Sequence, residues 1–139
     1  MLHRDYLLEV IQQFVSTVSR LLMKALVEHD LNAAAGVEAA IGELVQLDPD
    51  TAMSLAPESL VTMMVLSGTG DAVAGYAGYA LMRLSEAYAA MGETELAEMR
   101  AEQAYAIADG FGADLNEIPE ELRDVEARLR KAQESGEGA

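Results

Sequence analysis

The chain has 139 residues, 51% hydrophobic and 24% charged, which is one domain's worth and long enough to bury a core. Nine Lys and Arg against 24 Asp and Glu leave a net charge of −15, which argues against nucleic acid or anionic membrane as a partner, since both need cations to displace counterions. Cysteine and tryptophan are absent, so no disulfide framework, thiolate nucleophile or cysteine-based metal site is available, and the core must be mainly aliphatic.

The first predicted element is a helix from Asp5 to about His29. Leu7, Ile11, Phe14, Val18, Leu21 and Ala25 recur at alternating steps of four and three, an apolar stripe on one helix face. Val10, Val15 and Leu22 widen it beyond what one neighbour covers. Leu7, Val10, Ile11, Phe14 and Val18 are therefore the candidate contact of a homodimer. Asp30 or Asn32 is placed to cap a second helix, Leu31 to Leu47, antiparallel to the first, with Val37, Ile41, Leu44 and Leu47 on its core face. Pro49 ends it. A short helix follows over Pro57–Leu66, then longer ones over about Asp71–Met91 and Glu93–Asp109. After a loop comes a last helix, from Pro119 to about Gln133. Residues 1–134 read as a single helical domain and 135–139 as a flexible tail. No stretch alternates in a strand-like way. The fold class is all-α, with about six helices in stacked antiparallel hairpins, either right-handed superhelical or bundle-like.

The polar opening Met1–Asp5 is unlike a signal peptide, and the apolar run Leu60–Leu66 is far shorter than the roughly 20 residues a membrane span needs. Cytoplasm is the expected compartment.

The stretch from Ser67 to Met82 is rich in glycine. Gly68-Thr69-Gly70 lacks the third glycine of a dinucleotide fingerprint, because Val73 stands there, and no Lys is near as a phosphate loop needs. It reads as a turn, with Thr69 or Asp71 capping the next helix. Gly75 and Gly78, inside that helix, are expected to face a neighbouring helix closely. Tyr76 and Tyr79 lie one turn apart, and Met82, Arg83 and Glu86 continue their row. This row is either core filling with its hydroxyls at the edge or a candidate partner-binding stripe.

Within the fourth and fifth expected helices, Leu81, Leu84, Ser85 and Tyr88, then Gly92 at the turn, then Ala97 and Ala104, fall where a tetratricopeptide repeat has its signature positions. These thirty or so residues resemble that family, and "LVQLDPD" at the end of the second helix is faintly similar. Leu81 stands for the family's Trp, Ser85 for its Gly and Ala101 for its aromatic, and Asp109 replaces the closing Pro. The opening "DYLLEVIQQF" and the layout also resemble small uncharacterised bacterial proteins, a likeness that supplies no activity. The tetratricopeptide resemblance implies a peptide-binding groove lined by the first helices of successive hairpins, with Tyr79, Met82 and Glu86 facing it.

Chemistry is sparse. The two histidines, His3 and His29, lack a carboxylate three residues earlier, and no nucleophile-elbow motif is present. No catalytic residue, cofactor site or metal site is expected. The expected function is non-enzymatic: a helical interaction module that takes a peptide or protein in a groove or on a helix face. The alternative is a helical small-molecule binding domain with an apolar pocket. The acidity reads as solubility or as preference for a basic partner.

Overall fold

Asp30 makes the first hairpin. Its side chain accepts from the backbone N–H groups of Asn32 (2.9 Å) and Ala33 (3.2 Å), satisfying donors that a helix start leaves orphaned. A computed structural model describes residues 2–68 and 70–138, with side chains for 5–68 and 70–135. Among these residues every regular element is helical. The elements are α1 (Leu2–Val27), α2 (Leu31–Val45), α3 (Pro49–Ser54), α4 (Pro57–Ser67), α5 (Gly70–Ala90), α6 (Thr94–Phe111) and α7 (Arg123–Gly138), the last preceded by one 3-10 turn (Glu120–Leu122).

Two antiparallel hairpins form the frame. In the first, α2 runs back along α1, so that Leu21 packs over Gly36 near the turn, while Phe14 and Leu44 share a groove further along. In the second, α6 runs back along α5. The Ser85 hydroxyl donates to the Ala97 carbonyl at 2.7 Å near the turn, and Phe111 closes over Gly70 at the far end. Gly92 turns this hairpin at φ +81°, a conformation that a side chain disfavours. Val61 of α4 lies against Gly110 of α6, and Leu122, Val125 and Leu129 bring the C-terminal segment into the common core.

That core is aliphatic, as the composition requires. On α1 the fully buried residues are Val18, Leu22 and Ala25, with Ile11 and Phe14 nearly so. The stripe thus closes on Leu22, and Leu21 is left half-buried over Gly36. The expected dimer-contact residues divide in two. Ile11, Phe14 and Val18 are interior to their own chain, and Leu7 and Val10 pack half-buried against the same core. The breadth of the α1 stripe has an intramolecular cause: α1 packs against α2, α5 and the C-terminal segment at once.

The elements differ from expectation in two places. α2 ends at Val45, short of the expected Leu47, and Pro49 opens the extra helix α3 at a first-turn position, with Asp48 accepting from the Thr51 N–H at 3.2 Å. The last helix extends to Gly138, beyond the expected end near Gln133. Thr69, a candidate cap, lies outside the described residues.

A buried polar cluster ties these helices together. Arg100 of α6 is only 4% exposed, and Gln103, one turn on, is fully buried. Arg100 donates to Glu38 of α2 (3.0 Å), to the Met53 carbonyl (2.9 Å) and to the Gln103 side-chain oxygen (2.9 Å). Gln103 donates to the Leu55 carbonyl at 3.1 Å, just past α3. Tyr88 of α5 donates to the same Glu38 oxygen at 2.9 Å. The final carbonyls of α3, which helix geometry leaves unpaired, are met by α6 side chains.

Within the glycine-rich stretch the tight helix contact is at Gly70, under Phe111 of α6, and not at Gly75 or Gly78. A Cβ on Gly75 would meet only the Pro119 ring at 3.9 Å, and on Gly78 only the tip of Leu115, a loop residue, at 2.9 Å. Neither faces a neighbouring helix. Gly42 is constrained by backbone, since its Cβ would fall 2.8 Å from the Pro49 Cα, which cannot swing away as a side chain can. Gly42→Ala should therefore destabilise by about 1–3 kcal/mol through overpacking. Gly75→Ala should be neutral or stabilise by up to about 1 kcal/mol through helix propensity. Urea unfolding of both variants checks this contrast; equal effects would contradict it.

Candidate functional site

The row of Tyr76, Tyr79, Met82, Arg83 and Glu86 does share one face of α5, but the C-terminal segment lies over much of it. The Tyr76 hydroxyl donates to Glu121 at 2.7 Å, and the Tyr79 hydroxyl to Glu126 at 2.7 Å. Arg83 donates to both oxygens of Glu126 and to Glu86, and its guanidinium stands 5.9 Å from the Tyr79 ring centre. Arg130 completes the shell around Glu126 at 2.7 Å. On the surface of α7, Asp124 and Arg128 approach to 4.0 Å. Tyr79 is 6% exposed and belongs to the core. What stays open is a depression of about 500 Å³ edged by Met82, Arg83, Glu86, Tyr105 and Arg130.

Electrostatics make this a latch. Burial works against a charge on Glu126, but hydrogen bonds from Arg83, Tyr79 and Arg130 outweigh it and hold the carboxyl below its usual range. Burial likewise opposes the Arg83 charge, yet the hydrogen bond with Glu126 and the nearby Glu86 carboxylate raise its pKa. Burial, then the hydrogen bond to Glu121, pushes Tyr76 up to about 12. Tyr79 and Tyr88 are raised further, by burial first and then by their Glu126 and Glu38 partners.

The more open feature lies on the first hairpin, a groove of about 900 Å³ between α1 and α2. Helical spacing builds it. Tyr6, Glu9, Gln13 and Thr17 recur at steps of three and four along one edge of α1, and Glu43 and Gln46 form the facing edge. Val10, Phe14, Ala40 and Leu44 make an apolar floor continuous with the core. Gln46 holds a left-handed conformation (φ +63°) as it ends α2, which places it at the groove's mouth. Among the described lining residues the only charges are Glu9 and Glu43. Sequence reading found Phe14 and Leu44 as core positions but missed the groove, because its walls are polar residues that periodicity assigns to solvent.

A third depression, of about 650 Å³, lies between α2, α3 and the start of α6. Met53, Leu96 and Met99 supply apolar wall, and the Arg100–Glu38 pair lies at its edge. Arg100 and Gln103 were missed in the sequence. The available signal was a cation and an amide interrupting the buried series Ala97, Ala104 and Ile107 on α6. His29 sits exposed in the first hairpin turn. Among the described residues no group of three or more His, Asp or Glu is placed to hold a metal ion, and no helix is long and apolar enough to cross a membrane.

The latch gives a pH prediction. Glu126 has a lowered folded pKa, so its contribution is fully present above the ordinary value of 4.5 and is lost as pH falls through the folded value. Glu126→Gln should be less stable than wild type near neutrality, with the gap closing in acid. The raised tyrosines act oppositely: their contribution is full below pH 10 and is lost as pH rises from 10 toward about 12. Denaturant melts from acid to alkaline pH check both limbs, and a Glu126→Gln gap that does not change with pH would contradict the first.

No protein-family model matches this sequence, and no curated protein or solved structure matches it either, so the functional reading rests on the geometry of the fold.

Proposed function

We propose that the chain is a non-enzymatic helical interaction module that receives a protein or peptide segment in the α1–α2 groove. One observation carries the reading: a large groove with an apolar floor and hydrogen-bonding edges, its walls set by two helices of one hairpin. An all-helical frame suits recognition by side chains in a groove between helices, where an amphipathic helix can lay its apolar face. The buried ionisable groups, Arg100 and Glu126, are engaged by partners within the chain, which suits structural rather than catalytic duty. The tetratricopeptide resemblance of α5 and α6 is a separate reading: Leu81, Leu84, Tyr88, Ala97 and Ala104 are buried, as the inner face of any packed helical hairpin is.

A small-molecule reading has one feature in its favour. The depression beside Arg100 combines methionine walls with a buried charge pair, and thioether side chains adapt to ligands of varied shape. Its rim is open and acidic, with Asp50, Glu93 and Glu95, and the guanidinium is already engaged, so the groove reading is preferred.

Site-specific photocrosslinking tests the proposal. A photoreactive residue at Gln13 or Gln46, on the groove edges, should crosslink to a discrete protein in extract of the source cells. The same group at exposed Glu98 on α6 should not. Equal labelling from all three positions, or none from the groove edges, would overturn the reading.

A further inference from the structure

The geometry points to a basic amphipathic helix of about three turns as the occupant of the α1–α2 groove; this rests on the groove reading proposed above. Length comes first. The α1 edge runs from Tyr6 to Thr17, which at 1.5 Å per residue is roughly 17 Å, or about eleven to twelve helical residues. Shape comes second. A groove between two antiparallel helices accepts a third helix by ridge-into-groove packing, and such a helix presents apolar anchors at i, i+3 or i+4, and i+7. Half-buried Val10 is the main apolar surface those anchors would meet, with Phe14 and Leu44, 3% and 1% exposed, closing the floor beneath it.

Charge decides the flanks. Glu9 stands on one edge and Glu43 on the other, both exposed, and among the described lining residues neither has a cation beside it. The ion pairs of Glu38 and Glu126 lie elsewhere, with Arg100, Arg83 and Arg130. The sequence from Ala25 to Met82, which includes all of α2, contains acidic residues but no Lys or Arg, so the α2 wall gains no cation from its own helix or the next two. A helix with Lys or Arg on both sides of its apolar stripe would place cations against both edges at once. An acidic or neutral helix of the same shape would meet repulsion or uncompensated carboxylates.

The test uses three synthetic peptides of about fourteen residues with capped ends. Each carries one leucine stripe at i, i+4, i+7 and i+11 in an alanine background, flanked by four Lys, four Gln or four Glu. Affinity is read by fluorescence anisotropy and position by amide shift changes in the labelled full chain. The Lys peptide is expected to bind about tenfold or more tighter than the Gln peptide, and more weakly as salt screens the charges. Its shifts should cluster on Val10, Gln13, Glu43 and Leu44. Glu9→Lys/Glu43→Lys should remove that advantage, while the exposed pair Glu98→Lys/Glu102→Lys, with equal charge change, should leave most of it. Both variants are surface changes, and circular dichroism confirms their folding.

Groove-localised binding of the Gln or Glu peptide as tight as that of the Lys peptide overturns the charge inference and leaves the groove reading standing. Equal loss in both double variants, or shifts on the exposed apolar side of α4 at Met63 and Leu66, overturns the inference by showing that the groove is not where the cations are read. Absence of binding by all three peptides overturns both.

Discussion

A guanidinium at the junction of four helices sets the arrangement on which the rest depends. Arg100 is 4% exposed in an aliphatic interior. An unpaired charge there would cost several kcal/mol, so the fold must bring partners to it. It does so from separate parts of the chain: Glu38 from α2, the Met53 carbonyl from the end of α3, and Gln103 from α6 itself, with Tyr88 of α5 holding the far side of Glu38. Each partner lies on an element that apolar packing alone would let slide or rotate. Any arrangement that separates Arg100 from Glu38 leaves a buried charge uncompensated, so the cluster penalises other registers between the two hairpins.

The groove depends on that constraint. One side of α2 faces α5 and α6 through Glu38, and another side forms a groove wall through Ala40, Glu43 and Leu44. Fixing α2 against the second hairpin therefore fixes the depth and spacing of the groove on the first. The second charge cluster, Arg83 and Glu126 with Tyr79, works at the opposite end of the chain and seats α7 on α5. It covers much of the α5 row from Tyr76 to Glu86, while the groove on the first hairpin stays open, so the two charge clusters divide the surface into covered and open parts.

Apolar periodicity made most of the helices legible. The steps of three and four in α1 and the cap at Asp30 each predicted an element that is present. The burial of Val18, Ile41 and Leu44 could be read the same way. What could not be read depends on who meets whom. Pro49 reads as a helix stop, yet its fixed φ serves equally to start one, and α3 begins there. The breadth of the α1 stripe is the same for a dimer face as for a helix with several intramolecular neighbours. Gly75 and Gly42 look alike in sequence, yet only Gly42 has a backbone against it. Arg100 resembles any surface arginine until α3 ends above it, and the groove edges are ordinary polar residues until two helices set them face to face.

The most direct test of the organising role of Arg100 is a double-mutant cycle with Glu38, read by equilibrium denaturation of wild type, Arg100→Met, Glu38→Gln and the double variant. Arg100→Met alone should cost about 3 kcal/mol, because it strands the Glu38 carboxylate and the α3 carbonyls. The cycle should show a coupling of about 1.5 kcal/mol or more, with the double variant much less unstable than the two single losses added together. Additivity to within about 0.5 kcal/mol would mean that the two side chains do not act as a unit, and would contradict the account.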